Sequence, residues 1–335
     1  MEAIEQLGVV STRSGILLVI DTGYLGLWSH DRQPLMPDGV LPNDALRAQA
    51  NSAVDIQIIG SDAERAGRLL NISWHPLYLY DQPAKHPDLV AKFKAVKTTH
   101  NLDAEMRILS ERIPHRRRLE LALMQGVGAG EMQFDGVWAS AVSGVPRGQE
   151  LAVKGERLAS DSWARVFVEC RPGLQIVSSE YVGMVGVDYA RLLISDPDVL
   201  GEWRHNESLD GRADYVFWGK DAAHLAAIFA ATEMNGQYGW LDLPEGEAQR
   251  KARVLRDYQK TYELKVGDDY RPHSDHWRVM TPTRISTTES ASVDLAGVEI
   301  CNFMTTWGDG VFDVHRDLGR SGELVRLRIE FEDIP

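Results

Sequence analysis

A chain of 335 residues with 44% hydrophobic and 25% charged residues has the composition of a soluble globular protein and the length for two cores. The formal net charge of −13 opposes a phosphate backbone and excludes nucleic acid as an expected partner; no apolar run approaches the roughly 18 residues of a membrane span. The opening MEAIEQLGVV shows neither region of a secretory signal, and two cysteines, Cys170 and Cys301, cannot build a disulfide framework, so a reducing cytoplasm is the expected setting.

In chain order, SGILLVIDTGYLGLW (14–28) predicts a strand that ends in an Asp-Thr-Gly turn, and VDIQIIG (54–60) predicts a second strand. A short helix follows, with Asp62 placed to cap it. SWHPLYLYD (73–81) predicts a third strand, residues from about 86 to 125 a helical insertion, and EMQFDGVWASAV with ELAVKGERL the closing strands. The same plan then recurs. ARLLISDPDVLGEW (190–203) and ADYVFWG (213–219) predict strands, Asp221 a second cap, GQYGWLDL a strand, 244–264 a helical insertion, and GVEICNFMTT through VRLRIEF the closing strands.

Five anchors support reading this as an internal repeat. Asp21, Leu25, Gly26 and Trp28 match Asp196, Leu200, Gly201 and Trp203; Asp55, Gly60, Asp62 and Ala63 match Asp214, Gly219, Asp221 and Ala222. Asp81 and Pro83 match Asp242 and Pro244, FDGVW (134–138) matches GDGVF (308–312), and Gly148 matches Gly322. The expected class is α+β, with two tandem β-rich homologous domains over 1–155 and 165–335 and a linker near 155–180.

The residues at the ends of each half also carry a resemblance. Asp188, Asp196 and Pro197 with Gly308, Asp309, Gly310 and Val314 resemble the motifs of a family of small bacterial and phage proteins, a D-S-G-x-L-x-x-x-D-P-x-Y-L-type opening and a G-D-G-x-Y-P-V-type terminal strand. The first half keeps Gly15, Asp21, Tyr24 and Leu25 but has Thr22 for Pro, and retains Asp135, Gly136 and Val137 of the terminal strand. In the second half Phe312 replaces Tyr and Asp313 replaces Pro. The resemblance implies a compact, mainly β domain and no particular activity.

Chemistry is sparse. RPHSDHW offers His273, Asp275 and His276 as metal ligands if the stretch forms a turn, with His315 or Asp309 as a further donor. The repeated aspartates, Asp21, Asp62, Asp135, Asp196, Asp221 and Asp309, read as turn and cap residues before they read as general acids or bases. No nucleophile elbow, phosphate-binding loop or dinucleotide fingerprint occurs. Cys170 and Cys301 lie in apolar strand contexts and read as buried and inert.

Residues 85–126 carry nine Lys or Arg against five Asp or Glu, a cationic segment in an acidic chain. It reads as a solvated helix face or a docking surface, and a homodimer through the acidic half of a second copy is one such use. The expected function is a non-catalytic binding protein, an accessory of peptide maturation or of a bacterial conflict system. It would hold a peptide, protein segment or small molecule in a cleft between the two duplicated domains, lined by Trp203, Trp307, Asp309 and His276, with Arg116, Arg117 and Arg118 at its margin and no cofactor. The alternative is a metal-assisted hydrolase in the second half.

Overall fold

The computed structural model describes residues 4–37, 43–70, 75–158 and 162–331, and of Phe134 the backbone only; residues 73 and 74 of the third expected strand and 159–161 of the expected linker lie outside the described residues. The first half contains β1 (Ile4–Val10), β2 (Ile16–Asp21), a 3-10 turn over Thr22–Leu27, α1 (Asp44–Asn51), β3 (Val54–Ile59), α2 (Ala63–Leu70), β4 (Tyr78–Gln82) and α3 (Pro87–His100). It continues through β5 (Glu105–Ile108), α4 (His115–Gln125), β6 (Ala129–Phe134), β7 (Val137–Ser143), β8 (Leu151–Arg157) and β9 (Trp163–Glu169). The second half begins with β10 (Ser178–Val187) and β11 (Arg191–Ser195), a short 3-10 turn, β12 (Arg212–Trp218), α5 (Ala222–Phe229), β13 (Thr232–Met234) and β14 (Gln237–Pro244). It ends with α6 (Glu245–Thr261), β15 (Gly267–Pro272), α7 (Asp275–Ile285), β16 (Ser290–Leu295), β17 (Val298–Met304), β18 (Gly310–Leu318) and β19 (Leu324–Glu330). The fold is α+β, rich in strand.

The strands form two six-stranded sheets, β1-β8-β9-β19-β18-β10 and β16-β17-β11-β2-β7-β6, and two small ones, β4-β3-β5 and β13-β14-β12-β15. When β1–β9 are matched in turn with β10–β12 and β14–β19, each six-stranded order reads alike from both ends. The centres are the antiparallel pairs β2–β11 and β9–β19, and Val19 stands directly opposite Ile194. The small sheets share one order, with β13 an added edge strand.

The apolar runs explain where these strands lie. β2 and β11 bury nearly every residue, as a strand covered on both faces must, and they occupy the middle of their sheet. Leu17, Val19, Leu192 and Ile194 join Val166, Val168, Leu327 and Ile329 of the other large sheet in one core, with Trp163 at full burial. Each small sheet has a core of its own. Ile56, Ile58 and Leu79 pack with Ala66, Leu70 and Phe93 of α2 and α3, and Tyr215, Phe217 and Trp240 pack with Leu225 and Leu255 of α5 and α6.

Five expectations change. The compact units are not 1–155 and 165–335 but Met1–Glu202 with Asp294–Pro335, and Trp203–Val293, because β2–β11 and β9–β19 pairing joins strands of both halves into common sheets. The fourth and fifth anchors are displaced by a strand. Asp135 and Gly136 form the β6–β7 turn whereas Gly308 precedes β18, and Gly148 precedes β8 whereas Gly322 precedes β19. The first insertion, expected as helical throughout, is helix, strand and helix, and RPHSDHW starts helix α7 instead of forming a turn.

The fifth change concerns the caps. Asp221 makes no side-chain bond to its helix; its Oδ2 accepts the N–H of Lys265 at 2.8 Å, and Asp62 Oδ2 accepts that of Asp103 at 2.9 Å. Both aspartates therefore tie a helix start to the loop before the last strand of the small sheet. Gly60 and Gly219 beside them, at φ +115 and +121, let that loop approach: a Cβ would lie 2.3 Å from Asp103 O and 2.7 Å from Lys265 O.

Candidate ligand-binding site

Within the unit Trp203–Val293 lies a cavity of about 760 Å³. Strand alternation aims β12 at it. Tyr215 and Phe217 face the helices α5 and α6, so Asp214 projects from the opposite face, and its cross-strand neighbour on β15 is Arg271. Helix α7 supplies Trp277, Thr281 and Arg284 at helical spacing, together with Arg278. The β13–β14 turn contributes Asn235, and the loop before β12 contributes Asp210.

Two clusters set the chemistry of the lining. Around Trp277 the guanidinium carbons of Arg271 and Arg284 lie 4.6 and 5.1 Å from the ring centroid, which makes a flat cationic surface. Arg271 is steadied by Asp269 at 3.2 Å and Arg278 by Asp275 at 2.9 Å. The second cluster is acidic. His273 Nδ1 lies 2.9 Å from Asp210 Oδ2, and Nε2 faces Asp214 Oδ1 across 3.7 Å. That hydrogen bond holds the Asp210 carboxyl below the usual range, whereas burial pushes the Asp214 carboxyl up against the pull of His273. Asp214 Oδ1 is buried and accepts no hydrogen bond.

None of the seven residues expected to bind ligand lines this cavity. Trp203 is half-buried and donates from Nε1 to His205 Nδ1 at 3.1 Å; His276 is buried with its ring 4.4 Å from that of His205. Trp307 is 43% exposed and donates from Nε1 to Trp163 O at 2.7 Å, while Asp309 accepts the Ala190 N–H at 3.2 Å. The three arginines do not act as one margin. Arg116 bonds Asp198 and Arg117 bonds Glu120 at the surface, but Arg118 is wholly buried on Asp55 and Asp81. Helical spacing turns it inward, one residue after the exposed Arg117.

The metal expectation fails on geometry. His273 faces the two carboxylates, Asp275 accepts the Arg204 N–H at 2.9 Å and pairs with Arg278, and His276 packs on His205. Among the described residues no group of three or more His, Cys, Asp or Glu could hold a metal ion. The cysteines read as expected: both are buried, and burial pushes the Cys170 thiol up to about 12. No described helix is long and apolar enough to cross a membrane.

Sequence reasoning passed over Trp277, Arg271 and Asp210. The signal lay in the chain, since RPHSDHWR packs two arginines, two histidines and a tryptophan into one stretch. A second recess, of about 280 Å³, lies in the other unit beside Glu131, His75, Tyr181 and Arg316. Burial raises the Glu131 carboxyl to about 7, against the pull of the Met184 N–H at 2.6 Å, and lowers the His75 imidazole to about 4.

In comparisons with protein families, curated proteins and solved structures, none matches this chain.

Proposed function

We propose that this protein is a non-catalytic binding protein, built as two interlocked copies of one β-rich unit, with its ligand site in the cavity of residues 203–293. One observation carries the reading: Trp277, flanked by Arg271 and Arg284, stands at a cavity with room for a small molecule or a peptide end. A stacked, cationic aromatic surface recognises a flat or anionic group and has no catalytic duty of its own.

What the metal-assisted hydrolase alternative lacks is a donor set: among the described residues no group of three or more His, Cys, Asp or Glu could hold a metal ion. The test is a calorimetric screen of small anions, cations, zwitterions and short peptides against the full chain, repeated on Trp277→Ala. The expected result is a ligand whose binding is lost in a variant that keeps its circular dichroism and melting temperature. Undiminished affinity in the folded variant would overturn the assignment.

A further inference from the structure

The two small sheets hold an aspartate in the same place and treat it differently. Asp55 lies on β3 and Asp214 on β12, each in the middle strand of its order and each at a bulge, between Val54 and Ile56 and between Ala213 and Tyr215. On the neighbouring strand stands in each case an aspartate with positive φ, Asp81 at 54° and Asp242 at 56°. In the first sheet the place is filled from within the chain. Asp55 accepts the N–H groups of Asp81 and Ile113 at 2.8 and 2.6 Å, and Arg118 of α4 sets its Nη2 3.2 and 3.3 Å from the two carboxylate oxygens. In the second sheet α7 follows β15 as α4 follows β5 but brings no guanidinium to Asp214, whose side chain lines the 760 Å³ cavity with His273 Nε2 3.7 Å from its Oδ1.

Resting on the binding function proposed above, we infer that the cavity takes a ligand that carries its own guanidinium, which docks on Asp214 as Arg118 docks on Asp55. Asp214 lacks the hydrogen-bonded cation that Arg118 is for Asp55, and a cation from outside supplies it. A guanidinium suits the place better than an ammonium, because its planar fork can meet a carboxylate with two parallel N–H bonds. The ligand also carries an anion, which meets the cationic face that Arg271 and Arg284 form on Trp277. Guanidinium at one end and carboxylate at the other describe arginine, free or at the C-terminus of a peptide.

The inference is tested by calorimetry on the full chain with arginine, a glycyl-glycyl-arginine tripeptide, citrulline (the guanidinium made neutral) and agmatine (the carboxylate removed). Arginine or the tripeptide should bind, and the stronger of the two identifies the free or the peptide-borne source. Citrulline and agmatine should each bind about tenfold more weakly or worse, the loss that follows from one unmet charged hydrogen bond. Asp214→Asn should weaken arginine by a similar factor, while Asp55→Asn should lower the melting temperature and leave binding as it was. Citrulline as tight as arginine would overturn the inference on the wild-type protein alone, as would full affinity in a folded Asp214→Asn. If none of the four probes binds but another compound does so in a Trp277-dependent way, this inference falls and the binding function stands. If no compound depends on Trp277, both fall.

Discussion

Asp21 and Asp196, 175 positions apart, each hold the turn that precedes the other's strand. Asp21 Oδ2 accepts the N–H groups of Asp188 and Tyr189 at 2.7 and 3.0 Å, and Asp196 Oδ2 accepts those of Arg13 and Ser14 at 2.6 and 2.8 Å. Arg13 and Ser14 are themselves 175 positions before Asp188 and Tyr189, so the exchange is reciprocal residue by residue. Both carboxylates flank the β2–β11 pair at the centre of a large sheet.

Replacing Asp196 with Ala should therefore cost about 3 kcal/mol, because several donors lose a charged acceptor in a buried place. Asn keeps one acceptor oxygen and should cost about 1 kcal/mol. Urea unfolding measures both, and equal losses for Ala and Asn would contradict the role given to the accepting oxygen.

The arginine run should divide in the same measurement. Arg118→Met leaves Asp55 and Asp81 buried without their shared cation and should destabilise by about 3–5 kcal/mol. Arg117→Ala removes an exposed ion pair with Glu120 and should stay within about 0.5 kcal/mol of wild type. A mild Arg118 variant would mean that the buried cluster contributes nothing net.

Asp62→Ala and Asp221→Ala should each cost about 1 kcal/mol, through loss of one charged acceptor for a backbone N–H. Hydrogen exchange separates a tie from a cap. The amides of Asp103 and Lys265 should exchange faster in the respective variants, while the first turns of α2 and α5 keep their protection. Faster exchange in those first turns instead would restore the capping role.

Glu131 and His75 line one recess and should pull the pH dependence of stability in opposite directions. Glu131 has its folded value raised to about 7 from 4.5, so its contribution is complete below pH 4.5 and is lost as pH rises to 7. At about 1.4 kcal/mol per unit that is about 3 kcal/mol. His75 has its folded value lowered to about 4 from 6.5, so its contribution is complete above pH 6.5 and is lost as pH falls towards 4. Glu131→Gln should leave a stability that climbs between pH 4.5 and 6.5, and His75→Asn one that declines over the same range. Urea midpoints across that range check both, and two variants that merely parallel wild type would refute the assignment.

Much of the strand content was legible in the chain because its cause is local. ILLVI and RLLIS are apolar on both faces, so they had to be inner strands, and the Asp135-Gly136 pair had to turn. The pairs Asp55 and Asp214, Gly60 and Gly219, Asp62 and Asp221, and Asp81 and Asp242 occupy matching places in the two small sheets, as their order in the sequence predicts. The matches placed near the chain's later turns slipped by one strand, because a short Asp-Gly or Gly-Glu motif fits any hairpin.

By itself, then, the sequence determined the α+β class, the inner strands β2, β3, β11 and β12 and the positions that demand a glycine or an aspartate, since these follow from neighbours a few residues away. Only the tertiary structure decided that β2 pairs with β11 and β9 with β19, because which edges meet depends on packing across more than a hundred residues. It alone decided the fate of like residues. Arg118 is buried and Arg117 exposed because adjacent helical residues point about 100° apart, and Asp55 is saturated while Asp214 lines a cavity because α4 delivers a guanidinium to the one and α7 none to the other. Whether a carboxylate is structural or waits for a ligand is a property of what the fold brings within 3 Å of it, and no spacing along the chain records that.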